Sequence, residues 1–211
     1  MMILPDPLMS ASPLRFDLAP GGTMRYWETF LASVQADRLM AGLNDEADWA
    51  QRSIVMFGRS VLQPRLTAFH GDPGLSYRYS GKSLTATGWT PLLAKLREQL
   101  ASRLELDFNC VLCNLYRDGQ DSMGWHADDE PELGRQPSIA SISLGAGRKF
   151  QIKPRAPEHG QLSSLILAHG SLLVMAGDMQ RHWLHQLPKS RKVSGPRINL
   201  TFRQIFRHPA A

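Results

Sequence analysis

The sequence contains no run of 18 consecutive apolar residues, so no membrane-spanning helix is expected. Its opening stretch, MMILPDPLMSASPLRFDLAPGG (residues 1–22), lacks a cationic start and is broken by prolines. It reads as a loose arm rather than a signal peptide. Cysteine is scarce: Cys110 and Cys113 are the only two, spaced C-x-x-C within FNCVLCNLY. If that segment is a strand, positions i and i+3 point to opposite faces, which excludes a mutual disulfide or a shared chelate. Both read as buried, reduced thiols in a reducing compartment. No internal repeat or low-complexity tract is present. Neither sign of charge dominates. A formal net charge of +5 and a pI of about 9.5 suit an anionic partner, but charge alone argues for solubility and steering, not for a function.

What is present suits one domain. A chain of 211 residues, 43% hydrophobic and 20% charged, is long enough for a real core and ordinary in composition. Residues 23–44, TMRYWETFLASVQADRLMAGLN, predict a helix capped by Thr23. Residues 89–104 predict a second helix. Thr90 can cap it, Pro91 fits its first turn, and Leu92, Leu93, Leu96, Leu100 and Leu104 form one apolar core stripe. From residue 107 the chain changes to short alternating runs punctuated by Gly and Pro, which predict a sandwich, barrel or jelly roll with the earlier helices packed outside. SIVMFGRSVLQPR (53–65) predicts a hairpin turning near Gly58 and Arg59.

Two segments carry chemistry. GWHADDE (124–130) sets His126 and Asp128 in an H-x-D arrangement, and in an extended strand both would point to one face and could grip one ion. Asp129 would face away. RINLTFRQI (197–205), as a strand, lines one face with Arg197, Asn199, Thr201 and Arg203 and the other with Ile198, Leu200 and Phe202. Two guanidinium forks bracketing Asn and Thr suit a dicarboxylate, although an amphipathic strand can also simply show this face to water. His185, twelve positions before Arg197, would complete a set of two histidines and one carboxylate. His182 is its rival, and alternation along a strand puts the two on opposite faces. Such a facial set, with three positions left open, suits non-haem Fe(II).

The ordered motifs FGR, GLSYRYSG, NLYRDGQDSMGWHADDE, IASISLGAGRKF, AHGSLLVM, HWLHQLP and PRINLTFR together resemble the AlkB family of Fe(II)- and 2-oxoglutarate-dependent dioxygenases. The likeness is greatest to its double-stranded-DNA repair branch and covers roughly residues 50–206. It implies an α+β fold: a double-stranded β-helix (jelly-roll) core over about 107–206, N-terminal helices outside, and a substrate-binding hairpin lid over about 53–81, all within one domain from residue 23 to 211. It also implies His126, Asp128 and His185 as iron ligands, leaving His182 structural. Asn114 and Tyr116 match the family's N-x-Y, and Arg197, Asn199, Thr201 and Arg203 its R-x-N-x-T-F-R; both would hold 2-oxoglutarate, with dioxygen as co-reactant.

The implied reaction is oxidative dealkylation of bases such as 1-methyladenine and 3-methylcytosine, releasing formaldehyde, succinate and carbon dioxide. The base would be flipped out of the duplex. Tyr77 and Tyr79 match the family's base-stacking aromatics, Asp129 a substrate-contacting acid, and Phe57 with Gly58 and Arg59 the wedge that fills the gap in an opened stack. Two core tyrosines and a core phenylalanine beside a turn are the plainer readings of the same residues. KSRK (189–192) resembles a phosphate-contacting loop, where a solvated basic loop is the alternative. DNA is the expected partner, RNA a further one, no membrane is involved, and a monomer is expected. The expected location is the cytoplasm with access to the nucleoid, or a nucleus. Iron and cosubstrate residues do not separate DNA from RNA, protein or a small molecule as substrate. A non-catalytic nucleic-acid-binding module would be expected to have lost a ligand or an arginine, and none is missing.

Overall fold

The computed structural model describes residues 12–56, 59–79 and 82–206. Its elements, in chain order, are β1 (Leu14–Asp17), β2 (Thr23–Trp27), α1 (Ser33–Glu46), β3 (Ser53–Met56), β4 (Arg59–Leu62), β5 (Leu66–Gly71), β6 (Ser76–Tyr79), β7 (Lys82–Thr85) and α2 (Pro91–Leu104). There follow β8 (Cys110–Tyr116), β9 (Met123–His126), β10 (Ile139–Gly145), β11 (Arg148–Pro154), β12 (Ser163–Leu167), β13 (Ser171–Ala176), α3 (Met179–His182), β14 (Trp183–Leu187) and β15 (Arg197–Arg203). Among the described residues, seven strands form one antiparallel sheet in the order β1-β2-β13-β10-β15-β8-β5, and four form a second in the order β12-β11-β14-β9. The two sheets make the jelly-roll core, and the hairpins β3–β4 and β6–β7 stand as separate pairs.

Strand parity explains how the large sheet serves two purposes. One face carries Val111, Cys113, Ile142, Leu144, Leu172, Val174, Ile198, Leu200 and Phe202, which pack with Leu39 and Leu43 of α1 and with Leu93, Leu96 and Leu100 of α2. Phe202 is fully buried, stacked on Trp89 at 6.3 Å and edge-on to Phe108 at 6.0 Å. The opposite face looks toward the small sheet, and the functional pocket lies between them. Helix α2 forms as its sequence predicts. Thr90 Oγ1 accepts from the Leu93 N–H at 3.3 Å, Pro91 opens the first turn, and the leucine stripe is buried.

Two expectations change. The single helix predicted over 23–44 divides, with Thr23–Trp27 a strand and the helix beginning at Ser33. Met24 and Tyr26 alternate into the inter-sheet core, and the free edge of β13 satisfies the β2 backbone, so a tertiary partner overrides local helical spacing. The loose arm predicted over 1–22 includes β1, which pairs with β2 from Leu14↔Tyr26 to Asp17↔Thr23. The segment SSLILAHGSLLVMAG (163–177) supplies two strands, β12 and β13. Its turn ends at Gly170, whose φ of 74° favours glycine and whose carbonyl accepts the Phe30 and Leu31 N–H groups at 3.0 and 2.9 Å.

The hairpin predicted over 53–65 pairs from Ser53↔Leu62 to Met56↔Arg59, and its turn at 57 and 58 lies outside the described residues. Cys110 and Cys113 are free, buried and on opposite faces, in different core clusters. Burial pushes the Cys110 thiol up to about 12 and raises Cys113 as well, so both are inert neutral thiols. Among the described residues no helix is long and apolar enough to cross a membrane.

Candidate metal and dicarboxylate site

Antiparallel pairing of β9 with β14 places His126 directly opposite His185, with ring centroids 4.1 Å apart. Strand β9 ends at His126, so Asp128 is not a strand residue as its H-x-D spacing suggests. Its backbone N–H is held instead by the buried Gln180 Oε1 of α3, at 3.0 Å. This turns the Asp128 carboxylate back to within 3.9 Å of His126 Nε2. One ligand atom from each of His126, Asp128 and His185 lies within 4.8 Å of the others, a cluster able to hold a metal ion.

The donor set fits a divalent cation. His126 Nδ1 lies 2.8 Å from the Gly124 carbonyl, which can only accept, so Nδ1 carries the proton and Nε2 presents its lone pair. Burial lowers His126, and it pushes His185 down to about 3 with help from His126 and Arg203, against the pull of Asp128. Burial alone would raise Asp128. The Arg203 guanidinium, with its Nη2 2.9 Å from Asp128 Oδ1, outweighs that together with the two imidazoles and holds the carboxyl at about 2. At neutral pH the cluster is therefore two neutral imidazoles and one carboxylate. His182 is elsewhere: it ends α3 rather than lying on β14, so helix geometry and not strand alternation separates it from His185.

The same pocket, about 40 Å³ between the sheets, is lined by Asn114 and Tyr116 of β8 and by Arg197, Asn199, Thr201 and Arg203 of β15. The register Arg197↔Tyr116 and Asn199↔Asn114 brings both sequence motifs onto one surface. Arg197 is buried, donates from Nη2 to Ser143 Oγ at 2.9 Å, and lies 5.3 Å from the centroid of the Tyr116 ring. Its Nε and Nη1 are buried with no hydrogen-bond partner among the described residues. Burial lowers Arg197 to about 10, which still leaves it cationic at neutral pH. A buried guanidinium with unmet donors suits an anion, and a carboxylate matches its fork. Asn199 donates to Ser141 Oγ at 2.8 Å and to the Ile142 carbonyl at 3.0 Å, and Thr201 Oγ1 donates to Asn199 Oδ1 at 3.4 Å.

Three buried residues that support this pocket have no signal in the sequence. Arg65 donates from Nε to Asn114 Oδ1 at 2.7 Å and from Nη1 to the Ser122 carbonyl at 3.3 Å. Gln180 fixes Asp128. Arg148 donates to the carbonyls of Asp118, Asp121 and Pro188 at 3.0, 2.9 and 2.8 Å, and its guanidinium lies 5.8 Å from the centroid of the Tyr116 ring. It thereby ties the β8–β9 loop to the β14–β15 loop that carries KSRK.

The substrate residues are less completely placed. Phe57 and Gly58 lie outside the described residues. Arg59 is exposed on β4, while Tyr77 and Tyr79 stand two apart on β6, opposite Leu84 and Lys82. Asp129, the expected substrate-contacting acid, already has a cationic partner, its Oδ2 lying 2.6 Å from Arg155 Nη2. The two side chains are 55% and 41% exposed, in a groove also lined by Arg135, Gln136, Asp178 and Arg181.

Residues 23–203 match the 2OG-Fe(II) oxygenase superfamily. The alpha-ketoglutarate-dependent dioxygenase alkB homolog 3 of Homo sapiens is 38% identical over 202 residues, spanning 91% of this chain and 70% of its own. The DNA oxidative demethylase ALKBH2 of Homo sapiens is 37% identical over 207 residues, spanning 93% of this chain and 79% of its own. That of Mus musculus is 38% identical over 189 residues, spanning 85% and 79%. The solved structure of OsALKBH1 superposes with a TM-score of 0.62 over 90% of this chain and 100% of that one; at 16% identity this is a likeness of fold.

Proposed function

Because the chain belongs to the AlkB family of 2OG-Fe(II) oxygenases, and is thus a dioxygenase using Fe(II), 2-oxoglutarate and dioxygen, we propose that it oxidatively removes alkyl groups from N-alkylated bases in DNA. In this reading His126, Asp128 and His185 hold the iron. Arg197 and Arg203 bind the carboxylates of 2-oxoglutarate, with Asn114, Tyr116, Asn199 and Thr201 shaping the pocket around it. When bound, iron, cosubstrate and dioxygen together supply hydroxylation of an N-alkyl carbon, with succinate and carbon dioxide formed and the hydroxylated alkyl group lost as an aldehyde.

The residues of this chain contribute position and charge. Arg203 keeps Asp128 ionised, the Gly124 carbonyl fixes the His126 tautomer, and Arg65 orients the Asn114 amide. Buried apolar walls, among them Leu112, Phe150 and Met175, keep bulk water from the pocket. On the substrate side, Tyr77 and Tyr79 would stack a flipped base, Asp129 would face its exocyclic or cationic edge, and Phe57, with Gly58 and Arg59, would fill the vacated stack.

The single observation that carries the reading is the unmet pair of donors on buried Arg197 in the same pocket as the His126–Asp128–His185 cluster, which together suit a carboxylate beside a cation. The supporting comparison is the similarity to DNA oxidative demethylases. The test adds Fe(II) and 2-oxoglutarate anaerobically, then air, and follows methylated single- and double-stranded DNA and RNA by mass spectrometry. Loss of 14 Da from DNA oligonucleotides is expected, that being the mass of one CH2 group. Turnover confined to RNA, or none, would overturn the reading.

A further inference from the structure

Asp129 follows the proposed ligand Asp128 directly, and its carboxylate already has a cation. Arg155 Nη2 sits 2.6 Å from Asp129 Oδ2 and 3.4 Å from the Gln180 carbonyl. The Arg155 backbone is fixed as well, its N–H donating to the His182 carbonyl at 2.8 Å just beyond the end of β11. The Gln180 side-chain Oε1 in turn accepts the Asp128 N–H, so two hydrogen bonds through Gln180 link Arg155 to the proposed metal ligand. Of the other two arginines lining this groove, Arg135 and Arg181, neither makes an ion pair among the described residues. Asp129 is therefore matched to one particular guanidinium rather than immersed in a general basic field.

This has a consequence for which bases the pocket prefers, and it rests on the dealkylation reading above. Adenine alkylated at N1 and cytosine alkylated at N3 are cations near neutral pH, because the ring nitrogen has spent its lone pair on the new bond. Guanine alkylated at N1 and thymine alkylated at N3 are neutral, because the alkyl group replaces an N–H. A bare carboxylate at the base pocket would discriminate strongly between these classes, whereas a carboxylate already paired would not.

We propose that Arg155 is a specificity-determining residue that acts as the resident counter-ion of Asp129, muting the preference for cationic bases and leaving neutral ones acceptable. A cationic base must share or displace the guanidinium, while a neutral base meets a balanced pair.

The test compares wild type, Arg155→Gln, Arg155→Lys and Asp129→Asn. Each is measured for affinity, by fluorescence anisotropy of the metal-free chain, and for KM, by turnover. The probes are single-stranded oligonucleotides carrying one 3-methylcytosine or one 3-methylthymine. Exposed ion pairs are weak, so Arg155→Gln is expected to shift the cationic-to-neutral ratio about two- to five-fold toward the cation. Arg155→Lys should restore the wild-type ratio, and adding Arg155→Gln to Asp129→Asn should leave the ratio unmoved. Equal weakening on both probes would make Arg155 a phosphate contact and overturn the proposal, as would a shift that persists without Asp129. Failure of wild type to turn over either probe would sink the dealkylation reading and this inference with it, whereas turnover with an unmoved ratio sinks the inference alone.

Discussion

His182 and His185 stand three positions apart yet share little of their surroundings. His185 is buried on β14 against His126, while His182 closes a one-turn helix and is half-exposed. His126→Ala, Asp128→Ala and His185→Ala are each expected to lose Fe(II) binding and turnover, while His182→Ala keeps both. Metal content after anaerobic loading decides it; iron retained by His185→Ala but lost by His182→Ala would reverse the assignment. The same burial predicts a pH profile. His185 has an ordinary value of 6.5 and is pushed by burial to about 3, so between those values the unfolded chain binds a proton that the native state refuses. Stability then rises with pH through that window and is lost on acidification, and Asp128, held at about 2 against an ordinary 3.8, adds a loss of the same sign at lower pH. The melting temperature of the metal-free chain should fall steadily from pH 7 toward pH 4, and His185→Gln should flatten the fall. A wild-type profile without slope would contradict this.

Strands and loops divide the work at the scale of the element. β15 gives one face to the core and the other to the pocket, so Phe202 and Arg203 cannot be repositioned independently. The loops are held by a different device. Gly119 N–H donates to the Val193 carbonyl at 2.9 Å and the Gly119 carbonyl accepts the Ser190 N–H at 2.7 Å, while Arg148 bonds both loops from beneath. A Cβ at Gly119 would overlap the carbonyl oxygens of Ser190 and Val193, which are backbone and cannot swing aside. Gly119→Ala is expected to destabilise by about 1–3 kcal/mol, at about 2–4 °C of melting temperature per kcal/mol, and to raise the 2-oxoglutarate requirement. Gly147→Ala is the control. Its Cβ would meet the nearest atom, Ile166 Cγ2, at an ordinary 3.6 Å, and it should melt within a degree or so of wild type. Equal melting of the two variants would mean that the loops yield freely.

At the scale of the whole molecule, a net charge of +5 favours a polyanionic partner. Affinity for an alkylated oligonucleotide should fall linearly in log–log form as salt rises, through release of counterions. Affinity unchanged between 50 and 200 mM salt would remove electrostatics from recognition. The two-sheet architecture buries Arg197 and Arg203 in the inner pocket, where they are shielded from such screening.

Strand parity is a local property, and the sequence by itself determined what depends on it: the polar face of Arg197, Asn199, Thr201 and Arg203, the paired Asn114 and Tyr116, and the opposed cysteines. Helix α2 was legible for the same reason, since its cap, its proline and its leucine spacing all lie within one segment. Tertiary structure alone decided what depends on a distant partner. Thr23–Trp27 is a strand because β13 offers it an edge. Asp128 turns inward because Gln180, far along the chain, holds its N–H. Arg148 becomes a loop clamp only where two loops converge, and Asp129 acquires Arg155 only once β11 has been laid beside β14. Periodicity encodes which way a side chain points; what it meets there is set by sheet pairing, through contacts between residues that no local pattern connects.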